Sequence, residues 1–258
     1  MTALADIVVI AAAEAFRGDG EIFASGMGTI PMLAARLARA TFEPDLLVSD
    51  GEAFFVANDL PLGASDKLIE GWIPFRSVFD TAWSGRRHVM MGASQMDRHG
   101  NSNIANIGPW SRPKAQLLGV RGGPGNTVNH ATSFWIPKHS TKVFTEHVDM
   151  VSGLGYDRAA ALGDWGARHH ELRRVVTDLA AMDFVGGTMR LRSVHPGVSV
   201  AQVVAATGFE LLVAGDVPTS RAPDEEELAA LERLDPTGLR HREVPGQAPG
   251  PGSVSEAG

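Results

Sequence analysis

Cysteine is absent from all 258 residues. Disulfides, thiolate nucleophiles and thiolate metal sites are therefore excluded, and the composition suits a cytoplasmic protein. No stretch reaches the roughly 18 consecutive apolar residues that a membrane-spanning helix needs, so the chain reads as soluble, without a membrane partner. No run of Lys or Arg exceeds two residues and the formal net charge is −7, so a nucleic-acid partner is not expected. The opening Met1-Thr2-Ala3-Leu4-Ala5-Asp6 has no basic segment ahead of its apolar stretch, unlike a secretory signal. No His-Glu-x-x-His or comparable ligand spacing occurs. The adjacent His169 and His170 would point to different sides of any element, so no metal site is expected. Gly26-Met27-Gly28 is a fragment of a dinucleotide fingerprint, but it lacks the third glycine and the ribose-binding acid, which argues against NAD.

The chain is 44% hydrophobic, enough for one large domain with a well-buried core, placed at residues 1–242. Residues 243–258 form a Pro/Gly-rich tail whose composition predicts disorder. No internal repeat is found. Apolar positions at helical spacing (Ile7, Ile10, Ala11, Ala15) predict a first helix over 6–17. A short strand follows at 21–25. A second helix is expected to about Ala40, with Thr29 as N-cap and Pro31 in its first turn. The apolar run Leu46-Leu47-Val48 then reads as a buried parallel strand, and strand–helix–strand order implies a parallel crossover. Residues 59–87 hold Ile69, Trp72, Ile73, Phe75, Val78, Phe79 and Trp83, read as a mostly helical insert used for packing or for an apolar pocket wall. Further strands are predicted at 88–92, 116–120, 133–136, 142–145, 172–177 and 188–192. Ser199-Val200-Ala201-Gln202 is a capping box opening a helix that Gly208 closes. A last helix over about 224–234 begins with four acidic residues, which suit a helix N-terminus. The whole reads as an α/β fold: an open, mainly parallel twisted sheet with helices on both faces.

In such sheets ligands gather just beyond the carboxyl ends of the strands. The strand ending at Val48 stops at Ser49-Asp50-Gly51, which makes that turn a natural place for chemistry. A Gly100-Asn101-Ser102-Asn103 turn would present amide donors where regular structure ends, and Asn101 or Asn103 would then aim at developing negative charge on an oxygen. Gly122, Gly123 and Gly125 would let the backbone approach a ligand closely and expose N–H groups.

Four ordered stretches carry a family resemblance. They are Gly92-Ala93-Ser94-Gln95-Met96-Asp97 through Gly108, Arg121-Gly122-Gly123-Pro124-Gly125-Asn126, Lys142-Val143-Phe144-Thr145-Glu146-His147-Val148-Asp149, and the segment from Val176 through Leu234-Asp235-Pro236. Together they resemble the β subunits of family I coenzyme A transferases up to about residue 240. That resemblance implies a single CoA-transferase-like domain. In these enzymes a glutamate stands in the turn after the early parallel strand and carries the acyl group; here the matching residue is Ser49. His130 stands where many relatives carry an acidic residue. In the family the His195-Pro196-Gly197 segment is structural.

The aromatic insert and Ser49-Asp50-Gly51-Glu52 resemble, more narrowly, the β subunits of the actinobacterial hydrolases that cleave the last steroid ring in cholesterol degradation. The resemblance implies an α chain of similar fold in an α2β2 heterotetramer, with an acidic catalytic residue on that α chain. It implies hydrolytic C–C opening of a cyclic β-keto CoA thioester. No cofactor is expected beyond the coenzyme A of the substrate, and an acidic total charge does not prevent binding of its phosphates. The expected roles are Asn103, Gly122 and Gly123 as polarising donors, with Ser49, Asp50, Gly51 and Asn101 lining the substrate pocket. Two alternatives stay open at this point: a CoA transferase using Asp50 as its carboxylate, and a non-catalytic β chain that stabilises an active α partner.

Overall fold

The computed structural model describes residues 2–244. Of the tail predicted over 243–258, Glu243 is helical and Val244 is buried in the core, and residues 245–258 lie outside the described residues. Helix α1 (Leu4–Ala13) is apolar almost all round and is buried almost all round, as such a helix must be. Its one acid, Asp6, is buried against Arg240 at 2.7 Å. A 3₁₀ turn continues it over Glu14–Phe16, completing the predicted 6–17 segment. Strand β1 (Phe23–Gly26) leads into helix α2 (Thr29–Thr41). The N-cap of α2 is Gly28 at φ 107°, not Thr29, whose hydroxyl instead meets Glu243 at 3.0 Å.

The predicted strand at 46–48 is a single parallel bridge, Phe23 to Leu47. Leu47 donates to Ile22 and accepts from Ala24 beside β1. The ladder ends there because Ser49 turns the chain into an antiparallel bridge with Phe55. The insert is less helical than its composition suggests. Strands β2 (Phe54–Val56) and β3 (Ile69–Trp72) form an antiparallel pair before helix α3 (Phe75–Ser84). The side chains of Val78, Phe79 and Trp83 lie outside the described residues.

Strand β4 (Arg87–Met91) is buried along its whole length. Two small hairpins follow, β5 (Gln95–Met96) with β6 (Ser102–Asn103) and β7 (Asn106–Ile107) with β8 (Ala115–Gln116). The strand predicted over 116–120 stops at Gln116; Leu117–Val120 leave the ladder and Gly119 takes φ 81°. Helix α4 (Gly123–Asn129) starts directly in the glycine loop, with proline at its beginning where a missing N–H costs nothing. Strand β9 (Ala131–Ile136) is as predicted, but 142–145 contributes only one bridge, Met96 to Phe144. Helices α5 (Tyr156–Ala161) and α6 (Gly163–Ala167) were not legible from the apolar spacing. Strands β10 (Glu171–Thr177), β11 (Ala180–Val185) and β12 (Thr188–Val194) complete the sheet. Helix α7 (Val200–Ala205) carries the predicted Ser199/Gln202 capping box. Helix α8 (Glu225–Leu234) has its own, made by Asp224 and Glu227, and α9 (Arg240–Glu243) docks on α1 through Arg240.

The main sheet runs β1-β4-β9-β10-β11-β12. The first four strands are mutually parallel and the last two antiparallel. Alternate residues serve opposite faces, as a pleated strand requires. Met90, Trp135 and Val176 face one core with α1, α2 and α8. Val89, Phe134 and Val175 face a second core closed by Phe144, Val203 of α7 and Phe209. The carboxyl ends of β1 and β4 therefore emerge side by side, and the site is built there.

Candidate active site

β1 ends at Gly26 because nothing larger fits. A Cβ there would lie 2.4 Å from the Pro31 carbonyl oxygen and 2.5 Å from the Met32 nitrogen, so α2 seats directly on the strand end. Met27 donates its N–H to Met90 at 2.8 Å and locks this end of β1 to β4. Beyond the two strand ends opens a cleft of about 350 Å3, floored by Met91, Gly92 and Ser94 and walled by Ile104, Leu118, Gly122, Gly123 and Asn126. Met27 and Leu118 stand exposed at its mouth.

The glycine loop meets the expectation of close approach. A Cβ on Gly123 would come within 2.7 Å of the Ser152 carbonyl oxygen. Arg121 sits at φ 49°, an unusual conformation for a side-chain-bearing residue, and Gly122 follows at φ −82°, ψ 2°. Successive residues in such conformations turn their N–H groups to one side, an arrangement suited to negative charge. The Gly123 N–H is taken by Val120. The Gly122 and Gly125 N–H groups have no hydrogen-bond partner among the described residues.

Among the described residues, none of those lining the cleft carries a carboxylate or an imidazole, and its one cation is Arg121. It therefore offers donors and an apolar wall but no base. Within the same residues no group of three or more His, Asp or Glu side chains is arranged to hold a metal ion.

The remaining predicted residues are elsewhere. Asn103 is fully buried; its Nδ2 donates to Gln95 Oε1 and to the Asn106 carbonyl, both at 2.7 Å, and its Oδ1 accepts from Ala105. Asn101 donates to Asp97 and Asp157 at 2.8 Å and accepts from Gly155. Both carboxamides are used up in a buried scaffold beside the cleft. Ser49, Asp50 and Gly51 lie at the same end of the sheet but outside the cleft lining. The Ser49 hydroxyl accepts from the Gly51 N–H at 3.2 Å. Asp50 is a turn staple. Its Oδ1 accepts from the N–H groups of Glu52, Ala53 and Phe54 at 2.9–3.0 Å, and its Oδ2 meets Lys67 Nζ at 2.5 Å. Burial would raise its pKa, but Lys67 and the three amides outweigh that and hold it down to about 2. A carboxylate so stabilised, with its side chain only 2% exposed, is a poor nucleophile.

Two arrangements escaped the sequence reading. Ser133, His88 and Asp19 form a Ser-His-Asp line, with His88 accepting from Ser133 at 2.9 Å and donating to Asp19 at 2.6 Å. All three side chains are buried, and burial, with the adjacent Arg173, lowers the His88 pKa despite Asp19, so the line is a core network. The other is Arg87, which reaches the cleft wall by donating to Asn126 Oδ1. No spacing rule links residues 39 apart on a strand and a helix.

A mainly parallel sheet flanked by helices, with a cleft opening at its carboxyl end, defines the class of protein: an α/β fold with its candidate site at the strand ends. Residues 77–206 match the coenzyme A transferase family model. This chain belongs to the coenzyme A transferase family. It is 51% identical to the cholesterol ring-cleaving hydrolase IpdB subunit of Rhodococcus jostii RHA1, covering 93% of this chain and 95% of that protein. It is 46% identical to the subunit of the same name from Mycobacterium tuberculosis H37Rv, covering 95% and 99%. Its fold superposes on the crystal structure of Rhodococcus jostii RHA1 IpdAB with a TM-score of 0.89 at 50% identity, covering 94% of this chain and 98% of that one.

Proposed function

We propose that this chain is the β subunit of a hydrolase that opens the last steroid ring in cholesterol degradation, acting on a cyclic β-keto CoA thioester. The observation that carries the reading is the cleft at the ends of β1 and β4, which has an apolar wall and a few N–H donors and, among the described residues, no acid or imidazole in its lining. Likeness over nearly the whole length to ring-cleaving hydrolase subunits supports it. In this reading water adds to the ring ketone. The bond between the carbonyl carbon and the α carbon of the thioester then breaks, giving a carboxylic acid and a thioester enolate. The enolate takes a proton at its α carbon, so water supplies both the oxygen and the hydrogen of the product. The base that activates water belongs to an α chain of similar fold in an α2β2 assembly. This chain supplies the donors that hold the enolate oxygen, each worth about 3–4 kcal/mol of barrier. The Gly122 N–H is one such donor, and the Ser49–Gly51 turn shapes the approach to the cleft. Coenzyme A enters with the substrate and no other cofactor is required.

The transferase alternative needs Asp50 as its nucleophile, and the four bonds to that carboxylate argue against it. The test is product analysis with the co-purified αβ complex and a cyclic β-keto CoA thioester in isotopically labelled water. Ring opening with one solvent oxygen in the new carboxylate, and no need for an acyl acceptor, is the expected result. Movement of coenzyme A between carboxylic acids without ring opening would reject the reading.

A further inference from the structure

We propose that Asn126 is the side-chain donor to the thioester or enolate oxygen in this cleft, and that Arg87 is the residue that positions it. The inference rests on reading the cleft as the thioester site. It deepens that reading by giving a role to the residue that closes the Arg121–Asn126 stretch.

Asn126 lines the cleft directly behind Gly122 and is only 2% exposed. A Cβ added to Gly122 would sit 3.6 Å from Asn126 Nδ2 and 3.7 Å from its Oδ1, so the bare backbone at 122 lies directly against that amide. The orientation of that amide is fixed by chemistry. Its Oδ1 accepts from an Nη of Arg87, and a guanidinium has no acceptor, so the oxygen must face the arginine and the NH2 must face away. There, among the described residues, the NH2 finds one partner, the Met91 thioether at 3.7 Å, a weak acceptor that engages at most one of its two hydrogens. Met91 is itself part of the cleft floor. Asn126 thus holds an unclaimed N–H at the site, whereas the amides of Asn101 and Asn103 have every donor committed.

Arg87 explains why the amide is held so firmly. It is 4% exposed, and among the described residues no carboxylate lies within ion-pair distance. Among the described residues its Nε and second Nη have no hydrogen-bond partner. A buried, unpaired guanidinium is costly, and burial lowers its pKa to about 10, which still leaves it charged at neutral pH. The side-chain bond it makes is the one to Asn126. A charged donor on Oδ1 draws electron density from the amide and strengthens the opposite N–H toward a developing oxyanion. The backbone of Asn126 is held in α4 independently of its side chain, its N–H donating to the Gly122 carbonyl and its carbonyl accepting from His130. Replacing the side chain therefore leaves the helix its main-chain bonds.

The test uses the co-purified αβ complex and acetoacetyl-CoA, a β-keto thioester whose enolate is read by ultraviolet absorption. Wild-type complex should lower the ionisation midpoint of the bound probe. Asn126→Ala should raise that midpoint by about two pH units, with affinity for the neutral probe within about three-fold. Turnover of the ring substrate should fall by about 10²–10³-fold in kcat with little change in KM. Asn126→Asp keeps the size and the bond to Arg87 but removes the donor; it should match Asn126→Ala and covers the case in which alanine prevents assembly. Arg87→Gln should shift the midpoint in the same direction by a smaller amount, and Arg87→Lys should recover most of it. An assembled Asn126→Asp or Asn126→Ala complex that ionises the probe like wild type would overturn the inference. So would a wild-type complex that leaves the probe at its solution value. If the probe responds to Asn126 but no ring is opened, the ring-cleaving reading fails and the donor assignment stands.

Discussion

At Asp50 a single carboxylate sets the shape of the turn that follows Val48. Three backbone N–H groups converge on one of its oxygens and Lys67 on the other. Replacing it by alanine strands those donors, and losing charge-assisted bonds of this kind costs about 2–3 kcal/mol. Asp50→Ala should therefore lower the denaturation midpoint of the complex, and Asp50→Asn, which still accepts from the amides, should lower it less. Borohydride or hydroxylamine treatment in the presence of acyl-CoA should leave the 46–54 peptide unmodified in the wild type. A trapped adduct there would reinstate Asp50 as a nucleophile. The sequence places Ser49 and Asp50 at the right end of the sheet, because an apolar run stopping at Ser-Asp-Gly is a strong end-of-strand signal. It does not reveal whether a carboxylate is free or stapled, since Lys67 arrives from 17 residues away across the β2–β3 pair.

Elements succeed or fail according to how local their causes are. The capping boxes at Ser199 and Asp224 are complete within four residues, and both helices start where those residues dictate. β11 was missed because Asp183 interrupts an otherwise apolar run. The structure satisfies that acid with the cross-strand Arg190, at 2.7 and 2.8 Å, and with Arg174 and Arg192 at 3.4 Å. The Gly186-Gly187 turn, with φ 59° and 77°, was the available signal, since paired glycines of this kind favour a two-residue hairpin. The glycine loop reads as irregular from composition, yet becomes α4 because Pro124 falls where a helix tolerates it. The contact between β1 and α2 is the element-level feature on which the cleft depends. Gly26→Ala forces a Cβ against main-chain atoms that cannot rotate away, and overpacking of this kind costs about 1–3 kcal/mol. The variant should lose stability in the assembled complex and lose kcat together, because the β1 end and Met27 shift with it. A variant with wild-type kcat would show that the strand end does not frame the site.

Across the whole molecule, polar groups sit deep in two cores that share one sheet, and their imidazoles respond to acid in the same direction. Burial lowers the pKa of His88, His139, His170 and His195, with His139 brought down to about 4 from 6.5. His139 stacks on Phe144 at 4.1 Å and lies between the hydroxyls of Thr177 and Thr207, where a proton on both nitrogens has no anion to meet. A folded-state pKa below the unfolded value means that the stabilising effect is present above about pH 6.5 and is lost as pH falls, because the unfolded chain takes up the proton first. For His139 alone the loss between pH 7 and pH 5 is about 2 kcal/mol. Asp97 and Asp178, whose pKa values burial raises, oppose the trend, so the wild-type curve by itself does not isolate the imidazole. Comparison with His139→Gln does: the variant should be less stable at pH 7 but lose less on going to pH 5. Denaturant midpoints of the assembled complex at the two pH values provide the measurement. Parallel curves for wild type and variant would mean that His139 titrates normally and that the second core admits water at its centre.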